Sequence, residues 1–336
     1  MGSERHAPRA HRHLIRGRSV FVSGRAATRR RGPGVSHLGI DLGGTNIKTA
    51  VLSGDGGELE VVARDSRPTK AAGGPETVAS RLIESGRTSW ERHGETETVG
   101  LGVPGLFDDS GAITLFPNLP GDWDGFPLRT VVSEGLGKTV QMINDARAFT
   151  LAEGNMGAGR GSRIVVAMVL GTGVGGGITV DGRLHLGAFG TAGEIGHQTI
   201  LPDGPLCGCG NRGCAEALTK ASVLTELAGK ESAEEVYEAA QSGEQRSIDA
   251  ITEVANYLGI ALANAVTILG PERIVIGGGI AKAGDLLLDP LRRSLKQRVT
   301  LVPIDEIEVV PAMLGSYAGA IGAALAGMDQ FAVRSR

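Results

Sequence analysis

Short apolar runs separated by glycine turns open the patterned part of this chain. Residues 37–41 (His-Leu-Gly-Ile-Asp) read as a buried strand, Leu42-Gly43-Gly44-Thr45 as a tight turn, and 46–52 as a second strand. A further turn at 53–57 leads to a third run at 58–64. Three strands joined by short glycine turns predict an antiparallel meander. Residues 75–93 carry apolar positions at helical spacing, with Val78, Leu82 and Ile83 on one side. A strand at 98–103 follows and ends at Pro104-Gly105.

Residues 106–127 are rich in turn formers and predict a loop. A short helix at 128–135, a strand at 139–143 and a helix at 145–156 come next. The opening pattern then recurs: a strand at 163–170, a glycine turn at 171–177, a strand at 177–180 and the hairpin signal Asp181-Gly182. Strand, glycine turn, strand, turn therefore occurs twice, about 130 residues apart, and predicts two related α/β lobes. Helices are expected near 217–229, 233–241 and 244–269. A strand at 274–276 runs into Gly277-Gly278-Gly279, and helix 284–297, strand 306–310 and helix 316–327 close the chain.

Composition narrows the class. Hydrophobic residues make up 41% of the 336 and aromatics 4%, so the core must rest on Val, Ile, Leu and Ala. The 53 glycines show no three-residue period, which excludes collagen and points to tight turns and close backbone approaches. No uninterrupted apolar run approaches the roughly 20 residues that span a bilayer, so a soluble protein with no membrane partner is expected. The net charge of −3 conceals two regions. Residues 1–35 hold nine Arg and one acid, leaving 25 basic and 36 acidic residues in the remainder. An acidic body argues against nucleic acid as a partner. The Arg-rich head lacks the apolar core of a secretory signal and is expected to be a disordered leader.

All three cysteines fall in one stretch, Cys207, Cys209 and Cys214, with His197 ten residues upstream of the first. One imidazole and three thiolates match the four donors of a closed structural zinc site. Free thiols, or one disulfide with a thiol left over, are the plainer readings. A disulfide between cysteines with one residue between them is strained, however, and an odd count leaves a reactive sulfur. Zinc thiolates also imply a reducing compartment, here the cytoplasm. Glu194 and Glu216 flank the set, and two carboxylates fixed by a metal knot suit a ligand rich in hydroxyls.

Two phosphate motifs are decoys. Gly171-Thr-Gly173-Val-Gly175-Gly176 fits G-x-G-x-x-G, but a strand and hairpin follow it where a dinucleotide site needs a helix. Gly137-Lys138-Thr139 imitates the end of a P-loop, yet Val132 stands where the first glycine is required. What remains are glycine turns at 41–46 and 171–177, whose amides can approach phosphate oxygens or serve as plain hairpin turns. Asp41, at a strand end beside one of them, can hold Mg²⁺ through water. Asn144-Asp145 stands where a strand gives way to a helix. A carboxylate there can act as a general base towards a hydroxyl, or the pair can be an ordinary helix cap.

The order Asp41-Leu-Gly-Gly-Thr-Asn46, Pro117-Asn118-Leu-Pro120, Asn144-Asp145-Ala146, Gly171-Thr-Gly-Val-Gly-Gly-Gly177, Glu194-Ile-Gly-His197 and Cys207-x-Cys209-Gly-x-x-Gly-Cys214-x-Glu216 resembles the ROK family of sugar kinases and repressors, most closely its bacterial glucokinases. The resemblance covers residues 36–328. It implies an α/β, two-lobed, actin-like (ribonuclease H-like) ATPase fold of duplicated ββαβα-type lobes around a central cleft. Residues 36–144 with helix 316–328 would form the small lobe and 145–315 the large one.

By the family pattern Asp145 takes the proton from a sugar 6-hydroxyl, while Asn118, Asn144, Glu194, His197 and Glu216 hold the other hydroxyls. Asp41, Gly43, Gly44, Thr45, Lys48, Gly171, Thr172 and Gly173 lie along the phosphates, and Gly277 and Gly278 near the nucleoside. Zinc sits on His197, Cys207, Cys209 and Cys214. The expected activity is ATP- and Mg²⁺-dependent phosphorylation of glucose by a homodimer.

Fructose, mannose, allose or N-acetylmannosamine are the alternative sugars, and polyphosphate the alternative donor. Arg147 departs from the family pattern, where a smaller amide or an acid is common, and that bears on sugar identity. A sugar-sensing repressor of the same family would need a helix-turn-helix ahead of the first glycine turn. The 35 residues there lack apolar helical periodicity. A zinc-bearing interaction module without catalysis would leave the phosphate turns unexplained.

Overall fold

The computed structural model describes residues 35–54, 58–117, 119–328 and 330–331. The Arg-rich leader up to residue 34 and Asn118 lie outside these residues.

The first lobe begins with β1 (Ser36–Leu42), β2 (Asn46–Ser53) and β3 (Glu60–Pro68), an antiparallel meander as the glycine turns predict. Helix α1 (Gly74–His93) leads to β4 (Thr98–Val103), which pairs parallel with β1. The stretch expected to be loop contains a small hairpin, β5 (Leu106–Phe107) with β6 (Ile113–Leu115). Trp123 organises the rest of that stretch. Its ring lies 4.7 Å from Phe116 and 5.6 Å from Phe126, and its indole N–H donates to the Pro120 carbonyl at 3.1 Å. Helix α2 (Leu128–Leu136) and β7 (Val140–Asn144) complete a sheet of order β3-β2-β1-β4-β7.

Helix α3 (Asp145–Met156) starts directly from β7 and carries the chain to a second sheet. That sheet contains β8 (Ile164–Leu170), β9 (Val174–Val180) and β10 (Arg183–Leu184) as a second meander. Helices α4 (Ala215–Thr219), α5 (Ala221–Ala228), α6 (Ala233–Gln241) and α7 (Gln245–Leu269) follow. Then β11 (Arg273–Gly278), α8 (Asp285–Arg298) and β12 (Glu308–Pro311) lead to the final helix α9 (Ala318–Ala326).

The second sheet has order β10-β9-β8-β11-β12, with the same parallel and antiparallel relations as the first. One sheet order occurring twice is the duplication foreseen from the glycine turns. It is the two-lobed, actin-like α/β fold.

The expected turn at 171–177 is shorter. Chain reversal takes only Gly171–Gly173, and Gly175, Gly176 and Gly177 pair with Val169, Met168 and Ala167 inside the sheet. These glycines serve helix packing. A Cβ at Gly175 would stand 2.7 Å from the Ala146 Cβ, and one at Gly177 2.6 Å from the Thr150 hydroxyl, both on α3. The single helix expected over 217–229 is broken at Lys220, because the Ala221 N–H donates to the Gly171 carbonyl at 2.8 Å and leaves the helical ladder.

Strand alternation decides where the core lies. On β8, Val166, Met168 and Leu170 pack with β11 and α5 to α8, while Val165 and Ala167 face α3 and α9. This second cluster also takes Ala50 and Leu52 from β2, Ile143 from β7 and Val275 from β11. The two helices therefore form one hydrophobic layer against both sheets. Among the described residues α7 alone is long and apolar enough to cross a membrane, although polar residues interrupt its apolar positions. Twelve of its residues are buried, among them Val254, Leu258 and Leu262, and it packs within the large-lobe core.

Candidate active site

The candidate residues gather where strands end. Asp41 is the sixth residue of β1, Asn144 closes β7, Gly171 follows β8 and Gly278 closes β11. Ligands of open α/β sheets bind at such carboxyl ends.

Asn144 and Asp145 divide the two readings of their position between them. Asn144 is the cap: its Oδ1 accepts the backbone N–H of Ala146 at 3.1 Å and of Arg147 at 3.2 Å, and its amide donates to the Gly105 carbonyl. Asp145 is then the first helical residue, with Oδ1 accepting the Ala146 N–H at 2.8 Å. Burial lifts its carboxyl above the ordinary range, the Ala146 N–H pulls it back, and the like charge of Glu194 lifts it further.

Asp41 is the neighbouring acid. Register places it beside Gly102 of β4, and Asn144 opposite Val103 of the same strand, so Asp41 and the residue just before Asp145 flank one strand end. Its carboxyl lies against Gly319 in the first turn of α9, where a Cβ would stand 2.7 Å away. Burial pushes it up to about 7, the charge of Asp145 adds to the shift, and Lys48, its cross-strand partner, opposes it. Asp41 and Asp145 are thus two desolvated acids that feel each other's charge, with Lys48 on the β2 side of Asp41, away from Asp145; carboxylates are the ligand type that magnesium takes.

The two glycine turns are closed by backbone bonds, Gly43 N–H to the Asn46 carbonyl at 3.0 Å and Gly171 N–H to the Gly173 carbonyl at 2.9 Å. Gly44, Thr45 and Thr172 are exposed at their tips. At the third turn Gly277 is buried against the Phe149 ring, and the exposed glycines are Gly278 and Gly279. Gly278 has φ +91°, a conformation open to glycine.

The cysteine knot forms as its spacing predicts. Donor atoms of His197, Cys207, Cys209 and Cys214 all lie within 4.8 Å of one another. Cys207 Sγ is 3.7 Å from His197 Nδ1, and Cys209 Sγ is 3.7 Å from Cys214 Sγ. Bond lengths of ~2.3 Å for Zn–S and ~2.0 Å for Zn–N give tetrahedral edges of about 3.5–3.8 Å. The separation is far longer than the ~2.05 Å of a disulfide, and all three cysteines are free. Burial and the neighbouring sulfurs push the Cys214 thiol up to about 12 and burial raises Cys207, whereas the Asn211 N–H holds the exposed Cys209 below the ordinary thiol range. The set fits zinc. Tight wrapping depends on Gly213 (φ +65°), where any Cβ would overlap the Leu201 carbonyl.

The knot reaches the other turns through its flanking acids. Glu216 Oε2 accepts the Val174 N–H at 2.9 Å, and Oε1 lies 3.6 Å from Cys207 Sγ. This carboxylate ties the cysteine loop to the 171–173 turn. Glu194 precedes the 3₁₀ turn Ile195–His197, so it stands one such turn from the histidine. Its Oε1 accepts from Arg147 Nη2 at 3.1 Å. Arg147, the departure from the family pattern, is thus one half of an ion pair that spans 47 residues and leaves no local signal in the sequence.

The ROK family model matches residues 37–329, nearly all of the described chain. The chain belongs to the ROK family. This ROK protein is 36% identical over 312 residues to a glucokinase of Thermotoga maritima, covering 87% of this chain and 97% of that one. Among solved structures, a ROK hexokinase from Thermus thermophilus matches with 35% identity and a TM-score of 0.75, over 87% of this chain and 98% of the other. A ROK glucokinase from Streptomyces griseus, solved in complex with glucose and AMPPNP, matches with 31% identity and a TM-score of 0.73, over 86% and 98%.

Proposed function

We propose that this ROK protein is an ATP-dependent hexose kinase that phosphorylates the 6-hydroxyl of glucose, with Asp145 as general base. One observation carries the assignment of the base. Asn144 takes over the capping of α3, and the Asp145 carboxyl beside it is lifted by burial and by Glu194, which supports its reading as the base. A base with a raised pKa is matched to drawing a proton from a hydroxyl near neutral pH.

Phosphoryl transfer asks mainly for in-line positioning and neutralisation of charge. Asn118, Asn144, Glu194, His197 and Glu216 hold the sugar hydroxyls, and the Gly43–Thr45 and Gly171–Gly173 turns, with Lys48, line the phosphates of ATP. Gly278 borders the nucleoside, with Gly277 supporting it from beneath. Asp41 would hold Mg²⁺, which when bound neutralises phosphate charge. Zinc on His197, Cys207, Cys209 and Cys214 fixes Glu194 and Glu216 as a pair. The small and large lobes (residues 36–144 with 316–328, and 145–315) close on the sugar and exclude water as a competing acceptor. A homodimer in a reducing cytoplasm accompanies this reading, supported by the thiol set and by the family resemblance.

The test is a panel of hexoses with Mg²⁺-ATP in a coupled ADP-release assay, run beside Asp145→Ala. Glucose should give the highest kcat/KM, and the variant should lose nearly all turnover while keeping its zinc content and melting temperature. Substantial turnover by Asp145→Ala would remove the assignment of the base. No ADP release with any hexose would remove the kinase reading itself.

A further inference from the structure

Arg147 is the third residue of α3, two past Asp145, and the Glu194 carboxylate is its ion-pair partner. The arginine side chain is only 15% exposed, and its Nε is buried with no hydrogen-bond partner among the described residues. A guanidinium held in protein by a single bond carries a desolvation cost, which a neighbouring carboxylate offsets when geometry fixes the pair. Glu194 is 37% exposed at the side chain and also faces Asp145, whose pKa it raises. The two acids thus lie close enough to repel each other, and Arg147 takes hold of Glu194 from α3.

We propose that Arg147 is a positioning residue that sets the affinity for the hexose by orienting Glu194; the inference rests on the kinase reading above. Arg147 engages Oε1 alone, and Oε2 has no partner among the described residues. The pair therefore turns a mobile carboxylate into one aimed acceptor for a sugar hydroxyl. Because α3 carries both Asp145 and Arg147, base and acceptor are registered on one rigid element. Arg147 acts on sugar binding through Glu194 and leaves the transfer step to Asp145. A lysine, a point charge with no planar fork, restores charge but only part of the aim.

The experiment compares the unmutated protein with Arg147→Met, Arg147→Lys, Glu194→Gln and the Arg147→Met/Glu194→Gln double variant. Steady-state kinetics are run in both substrates, and glucose binding is measured calorimetrically without nucleotide. Arg147→Met should raise the hexose KM and Kd about 10–100-fold, with kcat within about threefold and the KM for ATP unchanged. Arg147→Lys should recover part of the loss. The double variant should bind no worse than Glu194→Gln alone, because the arginine has nothing left to aim.

A hexose KM within twofold of the unmutated value in an active, folded Arg147→Met overturns the inference alone. So does strict additivity in the double variant. Should Arg147→Met not fold, the Arg147→Lys/Glu194→Gln cycle decides by the same criterion of additivity. An unmutated chain that neither binds nor phosphorylates a hexose overturns the kinase reading, and this inference with it.

Discussion

The carboxylate of Glu153, fully buried in α3, accepts the backbone N–H of Leu314 at 2.8 Å across 161 residues of sequence. The same side chain accepts the N–H of Met313 at 3.0 Å and that of Ala158 at 2.8 Å. Residues 313–314 lie on the path from β12 to α9, so one side chain fastens that crossing to the helix that begins at Asp145. Glu153→Gln keeps the volume but presents an amide donor where backbone donors already point. It should cost about 2–4 kcal/mol of stability, read as a lower denaturant midpoint with an unchanged m-value. A midpoint equal to that of the unmutated protein would show that water satisfies these amides equally well.

Helices α3 and α9 touch at their backbones. A Cβ at Gly322 would overlap the carbonyl of Ala148, and backbone has no flexible end that can move aside. Alanine on its own favours a helix by about 1 kcal/mol over glycine. Gly322→Ala should nonetheless destabilise by about 1–3 kcal/mol, because the crossing must open. It should also lower kcat, since α3 carries Asp145. A variant more stable than the parent in thermal melts would mean that the helices part without cost.

The sequence was most legible where period and neighbours agree. The short apolar runs of β1, β2 and β8, buried nearly end to end, and the helical spacing in α1 are local signals that the tertiary structure obeys. The glycines at 175–177 mislead for a definite reason: locally they read as turn formers, yet Gly175 and Gly177 admit Ala146 and Thr150 of α3 against β9, and Gly176 on the other face lies against the Ala167 and Gly193 carbonyls. The hairpin at 106–115 was lost among turn residues because a two-residue strand has too few positions to show a period. At the site, the metal knot was legible because its four donors lie within 18 residues of sequence, His197 to Cys214. The partners of Glu153, Glu216 and Arg147 were not, since each is set by packing between distant elements.

Glu194 lies near enough to Asp145 for its like charge to raise the Asp145 carboxyl, and that repulsion gives a pH signature. On the proposed reading Asp145 must be ionised to accept the sugar proton. Burial first, and Glu194 next, hold its pKa above that of a solvent carboxylate. The acid limb of kcat should therefore lie above the ordinary carboxylate range. At saturating hexose Glu194→Gln should shift that limb to lower pH, because one like charge is gone. A limb that stays put in this variant would point to another group as the titrating base.

Asp41 carries the opposite consequence for stability. Its carboxyl is raised from 3.8 to about 7 in the fold, so between these values the native state binds a proton that the unfolded chain releases. Stability then falls as pH rises through that window. In buffer free of divalent cations the melting temperature should be higher near pH 5 than near pH 7.5 on this account, and Asp41→Asn should flatten the slope. Millimolar Mg²⁺ with nucleotide should reduce the dependence, since a cation favours the ionised acid. A slope unchanged in Asp41→Asn would locate the linked proton elsewhere.

Zinc removal tests how far the knot supports the sugar site. Cys214 caps α4 and Glu216 stands in the first turn of that helix, with Oε2 on the Val174 N–H beside the 171–173 turn. Loss of the ion would leave three crowded thiols with no reason to stay within 4.8 Å of each other and of His197. On the proposed reading the first casualty should be the placement of Glu194 and Glu216 for the sugar, and the second the shape of the turn that Glu216 holds. We expect one equivalent of zinc per chain in protein purified without chelator, and a lower melting temperature after extraction. The hexose KM should rise more than the KM for ATP, and re-addition of zinc should restore both. Cys209→Ser, at the exposed donor, should weaken retention of the ion while Asp145 still supports turnover in excess zinc. Metal-free protein with full affinity for glucose would sever the link between the knot and the site.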